Sequence, residues 1–337
     1  MTRELIRLTV AVVMAATAAV STTSAAEAGA SPKDATKAIL AAFDKYEVVG
    51  AASPNTVFLD LIRDPSFPDK VDDIAVECAN SLYQPLLDRY IAGEDVPLSE
   101  VRQAWRNTTQ PSCGFSAFYE QFFPVVRQVN KKLPPAKKLR VLAGDPPIDW
   151  SRVTTPEDLA PFEERDRHVA AVMKREVLAK NHKALMLFGI SHLLHGGGSA
   201  VAMYEREYPN VTYTIATHYG FQKENDTLEQ RMSSWPRPSV IPFARSWLGE
   251  LDSSYFESRP GQPPAGKGYP GADAYMYTGP RALMLRQPIA AGTVLDPQYI
   301  SELRRRAAAI QDPPDGLMHP ETFFKRELES SALEFGA

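Results

Sequence analysis

The chain has 337 residues, 44% of them apolar and 23% charged. These are values of an ordinary globular protein that can bury a core, as one large domain or two small ones. Formal net charge is -4 and no long Lys/Arg block occurs, which argues against nucleic acid and anionic membrane surfaces as partners.

The N-terminus places Arg3 and Arg7 before an apolar run, Leu8 to Val20, and then the small residues Ser24, Ala25 and Ala26. That order is expected of a secretory signal peptide over residues 1–26, with an uncleaved anchor as the alternative. The mature protein then begins near Glu27 and is exported, periplasmic or extracellular. No later segment is apolar enough to span a bilayer. The two cysteines, Cys78 and Cys113, leave a disulfide and a buried thiol equally open.

Elements follow in regular alternation. Ser31 as cap and Pro32 at the first position predict a helix through "SPKDATKAILAAFDKY". "EVVG" (47–50) reads as a strand, "PNTVFLDLIRD" as a helix and "DDIAVEC" (72–78) as a second strand. Helices are expected in "SLYQPLLDRYIAG", "LSEVRQAWRN" and "SAFYEQFFPVVRQVNKKL". "KLRVLAGD" (138–145) is a strand, and one long helix capped by Thr155 is expected through "TPEDLAPFEERDRHVAAVMKREVLAKN". "KALMLFG", a helix within "GGGSAVAMYEREYPN" and the strand "VTYTIAT" (211–217) complete the alternation.

This order predicts an α/β protein: a mostly parallel sheet with helices on both faces, in one domain spanning residues 35–310. A Pro/Gly-rich loop covers 259–274, a strand is read in "ALMLRQ", a helix in "DPQYISELRRRAAAI", and a short helix in the tail, 311–337.

Ligands of open parallel sheets bind beyond the carboxyl ends of the strands. Those ends deliver Glu77, Asp145, Gly189 followed by His192 and His195, and His218. Such carboxylates and imidazoles could ligate a divalent metal or share acid/base work. Each has a plainer role: Glu77 and Asp145 as helix caps, His218 as a loop residue, His195 as a neighbour at a helix entry. His168 and His182 are expected to face solvent, and His319 has no evident partner. "HGGG" (195–198) invites an oxyanion hole, but no G-x-S-x-G elbow follows; "GISHL" has Leu193 where the second glycine belongs. No P-loop lysine accompanies the glycines.

"LMLFGISHLLHGGGSAVAMYERE", an apolar strand, G-x-x-H, a glycine turn and a helix, resembles the second G-x-x-H motif of the ChaN-like/Tiki superfamily, which includes erythromycin esterase-like proteins. "DDIAVECANSLYQPLLDRYIAGEDVP" and "VLAGDPPIDW" resemble the esterase-like branch. The resemblance runs from about Ala35 to Arg306. It implies a divalent metal or haem as cofactor, Gly189 and His192 as the motif's glycine and histidine, and Glu77 as a polar residue after the second strand. The first motif, G-E-x-H, falls on Gly50, Ala51, Ala52 and Ser53, without its acid or its histidine. Two functions follow. One is an exported small-molecule-binding protein or pseudoenzyme. The other is a hydrolase of ester or amide bonds, metal-dependent or not. His192 and Glu77 would then be catalytic, Asp145, His218 and Gly189 would bind ligand, and His192, His218 and Glu77 would be the metal candidates.

Overall fold

The computed structural model describes residues 30–52, 56–218, 225–256, 264–280, 289–316 and 318–325. The signal-peptide reading, the strand read in "ALMLRQ" and part of the Pro/Gly-rich loop fall outside these residues.

The architecture is α/β. Among the described residues eight strands form one mixed sheet in the order β1-β7-β8-β6-β2-β5-β3-β4. They are β1 (Lys33–Asp34), β2 (Val48–Ala52), β3 (Asp73–Asn80), β4 (Arg140–Asp145), β5 (Ala184–Phe188), β6 (Thr212–Thr217), β7 (Ser239–Pro242) and β8 (Ala274–Tyr277). Only β7 runs against the rest, pairing antiparallel with both β1 and β8. Central β2 (VVGAA) and β5 (ALMLF) are buried at every position, because helices cover both faces of a parallel sheet. One face packs against the helices Ala35–Ala42, Thr56–Arg63, Gln84–Ala92 and Ala117–Asn130; the other packs against Arg165–Glu176 and Ala200–Tyr204. Among the described residues no helix is long and apolar enough to cross a membrane.

Several local expectations change. The first helix is capped by Asp34, whose carboxylate accepts from Lys37 N, and not by Ser31; pairing of β1 with β7 carries the chain past Ser31 in extended form. The long helix after Thr155 breaks. A capping box between Thr155 and Asp158 closes a single turn, Pro156–Leu159. Pro161 then sits in a 3-10 turn, and a new helix starts at Arg165. "LSEVRQAWRN" is two short helices, Leu98–Val101 and Gln103–Arg106, and Pro111–Phe115 adds another. Strands β7 and β8 had no clear sequence signal. Cys78 and Cys113 form a disulfide.

The helix Pro297–Ala309 packs back onto the segment 106–110. Arg306 Nη1 and the Tyr299 hydroxyl both donate to Arg106 O. Gly114 permits this approach, since a Cβ there would lie 1.9 Å from the Tyr299 hydroxyl. Thr108 O accepts from Trp150 Nε1, and Asn107 O from Asn80 Nδ2. A segment held from so many directions is rigid, and it carries two side chains into the site below.

Candidate functional site

The regular ladder of β3 with β5 ends at Val76, and the β3–β4 register shifts between Val76 and Asn80. A break of this kind re-aims a side chain. It turns Glu77 toward the end of β5, where the Glu77 carboxylate accepts the Gly189 N–H. Gly189 caps a single helical turn, Ile190–Leu193, which presents His192 to the same carboxylate: Nε2 lies 3.4 Å from Glu77 Oε1. His192 Nδ1 lies 2.8 Å from Asp166 Oδ1. Asp166 also accepts from Ala200 N, joining the helices that begin at Arg165 and Ala200.

Arg165 ties the cluster across the sheet. Its Nη2 is 3.0 Å from Glu77 Oε1 and its Nε 3.2 Å from Asp145 Oδ1. Gln110 donates to Glu77, and Thr109 donates to Asp145 through both N–H, at 2.7 Å, and hydroxyl, at 2.6 Å. Asp145 thus grips the 106–110 segment instead of capping a helix. The Cys78–Cys113 disulfide fastens that segment beside Glu77.

Charge follows from these contacts. Burial raises the Glu77 pKa, but His192, Arg165 and the Gly189 N–H outweigh it and hold the carboxyl well below its ordinary range. Burial lowers that of His192, and Asp166 and Glu77 reverse this, pushing it up to about 9. Asp145, fully buried, is pushed up to about 6 by desolvation despite Arg165 and Thr109.

The other histidines lie elsewhere. His218 follows β6, and the order β6-β2-β5-β3 puts three strand spacings between it and Glu77, about 14 Å at roughly 4.8 Å each. Its partners are the Tyr275 hydroxyl at 2.6 Å and Glu229 Oε1 at 3.2 Å. His195 bridges Glu205 and Asp273, at 2.8 Å from each, and those carboxylates push it up to about 10. It clamps the turn after β5 to β6 and to the start of β8. His168 and His182 do not face solvent freely: one meets the Ser81 hydroxyl at 3.2 Å, the other Asp73 at 2.9 Å. His319 Nε2 meets Asp312 O.

The structure therefore brings Glu77, Asp145, Gly189 and His192 together and leaves His218 apart. The residues that complete the cluster, Arg165, Asp166, Thr109 and Gln110, carried one weak signal. Pro161 inside a helical pattern, followed by "EERDR", marks a helix restart with charged first-turn residues.

A divalent metal does not fit. Among the described residues no three His, Cys, Asp or Glu side chains are grouped to hold one. Arg165 already occupies the Glu77 and Asp145 carboxylates, and a protonated His192 has no lone pair to give.

No family model and no curated protein matches the chain. Two solved structures are similar to it. One, a protein of Bacillus cereus, is 12% identical, with a TM-score of 0.47, and the match covers 75% of this chain and 95% of that one. The other is ChaN of Campylobacter jejuni, which binds haem cofacially; identity is 16%, TM-score 0.37, and coverage 57% and 88%.

Proposed function

We propose that this protein is an exported small-molecule-binding protein that does not perform the hydrolysis its G-x-x-H segment evokes. One observation carries the reading. His192, the motif histidine, has both ring nitrogens directed at carboxylates, Nδ1 at Asp166 and Nε2 at Glu77, which push its pKa up to about 9, so neither nitrogen is turned to a substrate or a metal. Support comes from β2, where the fully buried apolar side chain of Ala51 stands at the position that the superfamily's first motif would give to its acid. Export is supported by the disulfide, a bond of oxidising compartments.

The test is a panel of ester and amide substrates with metal analysis of the purified protein. No turnover and no stoichiometric metal are expected. A Soret band on titration with haem would identify haem as the ligand. The hydrolase alternative rests on the continuity of Asp166, His192 and Glu77; turnover that His192→Ala abolishes would establish it instead.

A further inference from the structure

A second polar cluster lies at the same sheet edge, on the β6–β8–β7 side. His218, 2% exposed, stands between Tyr275 and Glu229. A carboxylate only accepts, so Nε2 carries the proton and Nδ1 faces the tyrosine hydroxyl. Two residues beyond Tyr275, on the same face of β8, Tyr277 packs its ring 5.3 Å from His218 and edge-on to Trp235 at 6.1 Å. Tyr277 and Ser239 are cross-strand partners on β8 and β7 and share that face.

Both side chains are fully buried, and neither hydroxyl meets a hydrogen-bond partner among the described residues. Folded proteins match nearly all such groups, because a buried donor without an acceptor keeps its full desolvation cost. Two on neighbouring positions, at the edge where ligands of parallel sheets bind, mark bonding capacity directed at something other than the protein. The surroundings narrow its chemistry. The Arg237 guanidinium acts electrostatically on Tyr277, and Trp235 and His218 supply flat apolar walls. Glu229, the nearby anion, is turned to His218 Nε2.

We propose that this cluster binds a small organic carboxylate with an aromatic or apolar body. The acid group accepts from the Tyr277 and Ser239 hydroxyls beside Arg237, and the body lies against Trp235. The proposal rests on the ligand-binding reading and narrows it to one end of the sheet edge.

The experiment titrates the full chain with sodium benzoate, with benzyl alcohol as neutral control, following tryptophan fluorescence and Tm. Benzoate should raise Tm and change the fluorescence; benzyl alcohol should do so at least tenfold more weakly. Tyr277→Phe should raise the Tm of the unliganded protein, by removing an unmatched hydroxyl, and weaken benzoate at least tenfold. Ser239→Ala should act in the same two directions, less strongly. A lower unliganded Tm in Tyr277→Phe overturns the proposal, since the hydroxyl is then satisfied within the protein. So does equal binding of the two probes, or no response to benzoate. Benzoate binding that Tyr277→Phe leaves intact overturns this site while the ligand-binding reading stands. Turnover of the ester panel sinks that reading without touching the Tm test.

Discussion

The two ends of the carboxyl edge are built from opposite materials. Around Glu77, Arg165 answers two carboxylates, His192 answers two, and the N–H of Gly189 and the side chains of Gln110 and Thr109 fill further acceptor sites. Around Tyr277 the groups are mostly neutral and aromatic, and two hydroxyls lack partners among the described residues. A saturated network holds elements together and has little left to offer a ligand. An unsaturated one has bonding capacity but contributes less to stability. The histidine in the recognisable motif belongs to the saturated end.

That contrast breaks first at Glu77. Glu77→Ala leaves Arg165 and His192 each short of a buried carboxylate, and about 3–5 kcal/mol of stability should go. Urea unfolding measures it. Glu77→Gln, which keeps an acceptor for Gly189 N, should lose roughly half as much and serves if the alanine variant does not fold. A wild-type midpoint in either would mean that the cluster is not a clamp.

Next comes the disulfide, which closes an interval of 35 residues. In the chain-entropy account such a loop contributes about 3–4 kcal/mol. The Cys78→Ser/Cys113→Ser pair should lose that much in denaturant. It should also loosen Thr109 and Gln110, visible as faster amide exchange at Thr109, while Tyr277 and its neighbours keep their protection. Equal loosening at both ends would dissolve the distinction between them.

How far this was legible in sequence differs between the two ends. Continuous apolar runs gave β2, β5 and the parallel sheet, because a doubly covered strand needs no alternation. They gave Glu77 and His192 as well, since both stand where such runs stop. Strands β7 and β8 hid because each has only four residues, and β8 begins where a Gly/Pro-rich stretch ends, so neither carries a periodic signal. Arg165 and Asp166 hid inside an apparently unbroken helix. His218 looked equivalent to His192 until strand order, which no local pattern encodes, set them three strands apart.

Acidity separates the ends further. His192 is pushed up to about 9, so its stabilising contribution is complete below its unfolded value, near 6.5, and is lost as pH rises through 9. About 3 kcal/mol is at stake. Asp145, raised to about 6, works the other way: its buried charge burdens the native state at pH 7, and relief comes as pH falls through 6. Tm should therefore decline from pH 7 to 10, and the wild-type advantage over His192→Gln should shrink across that window. His195, pushed up to about 10, adds a later decline that His195→Gln removes. An advantage over His192→Gln that is unchanged at pH 10 would show that the imidazolium is not what Glu77 and Asp166 stabilise.

The smallest effect lies between the two ends, at Gly50 in β2. A Cβ there would come within 2.9 Å of Leu193 Cδ2, the side chain next to His192 on the same short turn. Alanine suits a strand better than glycine by roughly 0.5–1 kcal/mol, so strain and propensity nearly cancel, and the net loss should be about 1 kcal/mol or less. The informative quantity is position. If Leu193 yields by moving its turn, the contact between His192 and Glu77 lengthens and the His192 pKa falls, read by NMR titration, while the fluorescence of Trp235 at the far end stays as it was. If Leu193 yields by a rotamer change alone, the His192 titration is untouched, and Gly50 serves only to make room for a leucine.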